Sequence, residues 1–374
     1  MVLRIAIFAN TAWNLHNFRS SLITKLIDNR HEVIAIAPHD ESASLLPKLG
    51  CQYLPMIIDN SGKNPFRDLL LLWRCLSLFR REKVDVVLTY TSKPNIFGSL
   101  AARLSKVATV NNISGLGAIF IGNRRLVWLV KLLYRIALIR SETVFFQNRD
   151  DSRLFIDEGL VDPKKALLLP GSGVDLQRFY FTPLRVAEEK FRFLLMARML
   201  WDKGIGEFIE AARLLRQKHK VEFFLLGSSD ALNPAAIPYV KIEQWVEEGI
   251  IEYTAQVEDV RPHLIQSDCV VLPSYREGAP RSLLEAAAMG RPIITTDTVG
   301  CRDVVVDNET GLLCRVRDAI DLSEKLEIML LLPEDQREKM GRKARERIEK
   351  VFDETIVLDR YMSVIAGLQK KIEN

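Results

Sequence analysis

The sequence is poor in the groups that usually mark a metal or redox centre. Its 374 residues include five histidines and five cysteines, and Cys51, Cys75, Cys269, Cys301 and Cys314 form no Cys-x-x-Cys pair. Scattered among apolar runs, the cysteines read as small, reduced core residues, which points to a cytoplasmic setting and away from a disulfide framework. No Asp-x-Asp occurs and no His/Cys group has ligand spacing, so a bound metal is not expected. A Gly-Lys-Ser/Thr phosphate loop is also missing, and SGLGAIF, around Gly115 and Gly117, lacks the third glycine of a dinucleotide fingerprint. No uncharged apolar stretch reaches membrane-crossing length. The opening MVLRIAIFAN has only a short apolar run and no small-residue cleavage site, so it reads as a first strand rather than a signal peptide. A dominant charge is absent as well: 52 basic against 48 acidic residues leave +4, which does not call for nucleic acid but permits attraction to anionic lipid or phosphate.

What is present is a globular composition, 48% hydrophobic and 27% charged, at a length that suits two domains. Short apolar runs alternate with longer amphipathic ones, the pattern of parallel sheets covered by helices. In the first half, strands are expected at residues 3–9, 33–37, 54–58, 84–88, 107–110, 143–146 and 166–169. The pattern restarts with 191–197, 221–226, 250–254, 269–272, 292–295 and 311–314, and a helix over 205–217 sets Ile205, Phe208, Ala212 and Leu215 on one face. Between the halves, Phe179 to Lys190 carries Thr182, Pro183 and a charge cluster and is the expected linker. The expected domains are therefore 1–182 and 190–352, followed by a last helical segment, 353–374.

The most informative segment is PSYREGAPRSLLEAAAMGRPIITTD, Pro273 to Asp297. A buried strand over 269–272 leads through a loop punctuated by Pro273 and Gly278 into a helix, Arg281 to Met289, closed by Gly290 and Pro292. Glu277 falls on the loop and Glu285 inside the helix. The helix start, Gly278, Ala279, Pro280 and Arg281, offers backbone N–H groups that favour an anion such as a diphosphate. A carboxylate bridging adjacent hydroxyls suits a ribose or hexose ring.

Glu-x7-Glu, with glycine after the first glutamate and Glu-Ala-x-Ala-x-Gly-x-Pro at the second, resembles the donor-site signature of family 4 glycosyltransferases. The resemblance implies an α/β fold of the GT-B type, two doubly wound Rossmann-like domains facing a cleft, with the nucleotide-sugar donor on the C-terminal domain. It further implies that the last helix returns to the N-terminal domain. In ARMLWDKG, Arg198 and Lys203 match the family's cations for the donor diphosphate, and Gly227 matches its glycine near the donor. Gln256 and Val257, in AQVEDV, match the nucleobase contacts; a plain strand-to-helix turn capped by Asp259 is the competing reading. The loop beginning at Gly227, with Pro234 and Pro238, is a candidate lid.

In the first half, Thr11 lies where many family members carry paired glycines, and this chain has none. Asn17-Phe18-Arg19, YTSKPNIFGSLAA, NNISGLG and FFQNRDD resemble a narrower group, the transferases that add an N-acetylhexosamine to an undecaprenyl-diphosphate-linked sugar. Lys93 is the candidate for the acceptor diphosphate, with Arg19 and His16 as weaker ones. Arg19 could equally be a helix-surface charge and His16 an ordinary polar residue. Many relatives have a histidine in the first domain that touches the donor sugar; near Asn111 and Asn112, where it would be sought, this chain has none.

Two segments have unusual faces. Arg67, Arg74 and Arg81 recur every seven residues among leucines, Trp73 and Phe79; Arg124, Trp128, Lys131 and Arg135 form a stripe opposite Val127, Leu129, Val130, Leu132, Leu133 and Ile136. Such helices fit a membrane interface, or a core with a solvated basic face. The resemblance implies a retaining, metal-independent enzyme without cofactors. It would use a UDP-sugar donor and a polyprenyl-diphosphate-linked saccharide acceptor, peripheral on the inner face of a bacterial cell membrane. A UDP-sugar epimerase of the same architecture and a non-catalytic sugar-nucleotide-binding scaffold are the alternatives.

Overall fold

The computed structural model describes residues 1–60, 64–116, 124–185, 190–229, 233 and 235–373, with backbone alone at 124–125. Gly117, Pro234, the side chain of Arg124 and part of the expected linker, 186–189, lie outside the described residues.

Seven parallel strands form the first sheet: β1 (Arg4–Phe8), β2 (Glu32–Ala37), β3 (Gln52–Pro55), β4 (Val86–Tyr90), β5 (Ala108–Ile113), β6 (Thr143–Phe146) and β7 (Ala166–Leu168), in the order β3-β2-β1-β4-β5-β6-β7. Six more form the second: β8 (Phe191–Met196), β9 (Val221–Leu226), β10 (Glu252–Thr254), β11 (Cys269–Leu272), β12 (Ile293–Thr296) and β13 (Gly311–Cys314), in the order β10-β9-β8-β11-β12-β13. Every expected strand forms. The third is displaced to 52–55, and β4 runs on to Tyr90, which shortens the loop to Lys93.

The central strands are apolar on both faces because each sheet is covered on both, while the edge strands β3, β7 and β10 are only partly buried. Ile5 and Ile7 enter one core while Ala6 and Phe8 enter another; Phe193 and Leu195 are likewise divided from Leu194 and Met196. Strand order reverses between β1 and β4 in the first sheet and between β8 and β11 in the second. In open parallel sheets, ligands bind beyond the carboxyl ends of strands at such a reversal.

The chain divides into one unit of Met1–Ser172 with Thr355–Asn374 and another of Gly173–Glu354. The boundary thus precedes the expected linker: Phe179 is buried in a core of the second unit, and the buried Arg291 holds Thr182 and Pro183 against it. The helix Glu354–Glu373 supplies Val357, Tyr361, Ile365 and Leu368 to the first unit's core. Its Tyr361 hydroxyl accepts a 2.9 Å hydrogen bond from Asn112 Nδ2.

Candidate functional site

The second unit sets its expected site residues in a row, at the carboxyl ends of four neighbouring strands. Gln256 follows β10, Gly227 follows β9, Arg198 and Lys203 follow β8, and Glu277 follows β11. At about 4.8 Å per strand the row extends for about 14 Å.

Its centre is an ion pair. Lys203 Nζ lies 2.5 Å from Glu277 Oε1, with the two side chains 14% and 15% exposed. The loops carrying them are stitched together: Tyr275 N–H donates to the Asp202 carbonyl at 2.9 Å and Ser274 Oγ to the same oxygen at 3.1 Å. Gly204, at φ +72°, makes this approach possible, since a Cβ there would overlap the Pro273 carbonyl. A third loop braces the pair, because Glu277 N–H donates to Val299 O at 3.0 Å. Arg198 is exposed beside β8.

Glu285 and Arg281 pair one helical turn apart, at 2.8 Å, on the helix Arg281–Ala288. Burial pushes the Glu285 carboxyl above its ordinary range, with the Arg281 guanidinium opposing. Gly278 is buried and Ala279 half-buried. Pro280 occupies the cap position without a side-chain cap bond. Having no N–H, it adds no donor to the helix start, which corrects the expectation of donors throughout 278–281.

At the far end of the row, Gly227 takes φ +148°, where a Cβ would overlap the Ala197 carbonyl; its N–H donates to Thr254 O at 3.1 Å. Gln256 is exposed and Val257 packs half-buried on a core of this unit. Asp259 accepts the Arg261 N–H at 3.0 Å and pairs with its guanidinium, which holds the Asp259 carboxyl down to about 2. Asp259 thus closes a turn onto Arg261 at the start of the short helix Arg261–Ile265, whose cap position, Val260, has no side-chain cap bond.

Tyr275 escaped the sequence reading. Its hydroxyl donates to Glu207 Oε1 at 2.7 Å, the Arg317 guanidinium stacks 4.5 Å from its ring, and Thr298 Oγ1 donates to its carbonyl at 3.0 Å. Burial and the Glu207 carboxylate push its hydroxyl up to about 12. Its side chain thereby ties the loop after β11 to the helix Ile205–Arg216 and to the loop after β13, while its carbonyl ties it to the loop after β12. Its place two residues before Glu277 was the only available signal.

The first unit uses several of its candidates for architecture. Thr11 caps the helix Ala12–Asp28, its Oγ1 accepting Asn14 N–H at 3.0 Å. His16 is half-buried on that helix. Arg19 is not a surface charge: it is 3% exposed, with its guanidinium 4.1 Å from the Tyr90 ring centre. Asn111 Nδ2 is held by Thr89 and Ser99 at 2.8 and 2.7 Å, and its Oδ1 accepts from Ser141. The position expected of a sugar-touching histidine is thus committed to the core.

Lys93 stands just past β4, at the reversal of the first sheet. Its Nζ lies 2.5 Å from Asp68 Oδ1. Between strand and lysine, Thr91 takes φ +67°, a strained choice for a β-branched residue, and Pro94–Gly98 forms a π-helical turn. Both features gather at functional sites.

The two amphipathic helices, Pro65–Arg81 and Arg124–Leu138, turn apolar side chains outward. Phe66 is 81%, Trp73 63% and Trp128 65% exposed, with Leu69, Leu70, Leu129, Leu132 and Ile136 also at the surface. Arg67 pairs with Asp59, Arg81 with Glu82 and Lys131 with Glu158. The exposed faces are therefore more apolar and less cationic than the residue pattern implied, and Leu129, Leu132 and Ile136 lie on the outer side with Trp128 rather than opposite it. No helix among the described residues is long and apolar enough to cross a membrane.

Known proteins match along most of the chain. The family model Glycosyl transferase 4-like matches residues 4–148, and Glycosyl transferases group 1 matches 190–331. An N,N'-diacetylbacillosaminyl-diphospho-undecaprenol alpha-1,3-N-acetylgalactosaminyltransferase of Campylobacter jejuni is 28% identical over 99% of this chain and 100% of its own length. A UDP-Gal:alpha-D-GlcNAc-diphosphoundecaprenol alpha-1,3-galactosyltransferase of Escherichia coli is 28% identical over 67% of this chain and 68% of its own. Among solved structures, HepE of Anabaena in complex with UDP-glucose superposes with a TM-score of 0.80 at 14% identity, covering 98% of this chain and 100% of that one. Two successive family matches, laid over two doubly wound units with the donor signature at the reversal of the second sheet, establish that the chain belongs to the family 4, group 1 glycosyltransferases and is an enzyme of the GT-B type.

Proposed function

We propose that this enzyme moves an N-acetylhexosamine from a UDP-sugar to a saccharide on a polyprenyl diphosphate, in the assembly of a surface glycan or glycoprotein oligosaccharide. Anomeric configuration is retained and no metal takes part. The observation that carries the donor side is the row from Gln256 through Gly227 and Lys203 to Glu277, an extended track suited to a base, a diphosphate and a sugar in sequence. Arg198 and Lys203 stabilise the charge that grows on the departing UDP. Glu277, which pairs with Lys203, turns its remaining oxygen to the donor sugar, and Glu285 receives the ribose. The leaving phosphate takes the proton of the attacking acceptor hydroxyl, so no separate base is required.

The lipid-linked acceptor is supported by the Campylobacter relative, named for such a substrate and aligned with nearly the whole chain. Outward apolar faces on Pro65–Arg81 and Arg124–Leu138 support a peripheral seat on the inner face of the cell membrane, beside that acceptor. A screen of UDP-sugars against polyprenyl-diphosphate saccharides, read by product mass and linkage, tests the proposal. Transfer of an N-acetylhexosamine is the expected result; an epimerised UDP-sugar formed without acceptor would replace transfer with epimerisation.

A further inference from the structure

We infer that Asp68 is a positioning residue of the acceptor site: it holds the Lys93 ammonium ready for the acceptor's diphosphate and ties that site to the exposed apolar helix. The inference rests on the proposed role of Lys93 and goes beyond it. Asp68 is the sole acid in the helix Pro65–Arg81, whose other charges are four arginines. It sits between Phe66 and Leu69, two of the most exposed apolar side chains of the molecule. Its own side chain turns inward, 20% exposed, to meet Lys93 at 2.5 Å.

The first turn that carries Asp68 is fixed. Asn64 accepts Phe66 N–H at 3.0 Å, Pro65 opens the helix with its preset φ, and Asp68 N–H donates to Asn64 O at 3.2 Å. Lys93 is fixed from the other side by strained Thr91 and the π-helical turn that follows. An acid in a first helical turn is already favoured by the helix dipole, but that needs no lysine at contact distance. A flexible four-carbon stem held in one rotamer before the anion arrives loses less freedom on binding it. The ammonium has three donors, so the Asp68 contact does not by itself exhaust them.

The test compares Asp68→Asn, Asp68→Glu, Lys93→Gln and the double variant Asp68→Asn/Lys93→Gln in the full chain. Steady-state transfer from the UDP-sugar to a polyprenyl-diphosphate saccharide is measured, with UDP binding by calorimetry as the check on folding. Asp68→Asn is expected to raise acceptor KM about fivefold to twentyfold with kcat within about twofold. Lys93→Gln should do at least as much, the double variant no more than Lys93→Gln alone, and Asp68→Glu should recover most of the loss. Binding to vesicles should be unchanged in Asp68→Asn, which separates the acceptor site from the lipid surface. An acceptor KM that is unchanged or lowered in Asp68→Asn while Lys93→Gln raises it overturns the inference and leaves the Lys93 role standing. Multiplicative losses in the double variant also overturn it. No effect of Lys93→Gln overturns the acceptor role beneath it.

Discussion

The loops at the reversal of the second sheet and those at the reversal of the first are built from similar residues and put them to different uses. In the second unit the expected residues meet one another: Lys203 pairs with Glu277 and Arg281 with Glu285. In the first, Thr11 caps a helix, Arg19 is buried on Tyr90 and Lys93 reaches to a different helix for Asp68. A nucleoside diphosphate sugar presents fixed groups at fixed spacing, so its site can be written into a contiguous strand-loop-helix. An acceptor site assembled from separate elements leaves a fainter trace in the sequence.

The largest effect expected from this contrast is at the donor cations. Arg198→Ala or Lys203→Ala should lower kcat by about a hundredfold or more, as does loss of a preorganised electrostatic donor, whichever acceptor is offered. Near-normal turnover in both variants, with UDP still bound, would remove them from the donor site.

The two helices with exposed apolar faces, proposed to meet the membrane, should separate acceptors by length. Replacing Phe66, Trp73 and Trp128 with Ser should reduce vesicle binding and slow transfer to a long-chain polyprenyl acceptor about tenfold, while a short soluble analogue is used as before. With Arg67, Arg81 and Lys131 already paired to acids, a large salt-resistant share of binding is expected. Equal losses on both acceptors would place these residues in folding rather than docking.

Much of this contrast was legible beforehand. Apolar runs located the strands, most plainly the central ones, because a strand covered on both faces must be apolar throughout. The placement of Glu277 on the loop and Glu285 inside the helix was legible for a similar reason, since both lie within one local unit. What could not be read was contact between distant elements. Nothing near Asp68 in the sequence announces Lys93, and nothing near Tyr275 announces Glu207 and Arg317. The surface reading of Arg19 fails because its cover, Tyr90, comes from β4, far along the chain from its helix. The boundary at Gly173 lay hidden too, since Phe179 and Thr182 look like linker residues until Arg291 and the core of the second unit are placed around them.

Smaller effects sharpen the comparison. Because burial raises the Glu285 carboxyl, its ionised form is lost as pH falls through a value above the ordinary carboxylate range. UDP affinity should therefore weaken on the acid side at a higher pH than an exposed glutamate would give, and Glu285→Gln should abolish that limb in a calorimetric pH series. A limb that persists in the variant belongs to another group. Thr11→Ala should lower stability by about 1 kcal/mol, as loss of a helix cap does, with little change in acceptor KM. A rise in KM without loss of stability would return Thr11 to the acceptor site.

The central claim is metal-independent transfer with retention to a lipid-linked sugar. The most direct measurement is the anomeric configuration of the product, by NMR, from a UDP-α-N-acetylhexosamine and a polyprenyl-diphosphate saccharide in the presence of excess chelator. The account predicts an α-linked product formed at a rate close to that without chelator. A β-linked product, or activity abolished by the chelator and restored by magnesium or manganese, would contradict it.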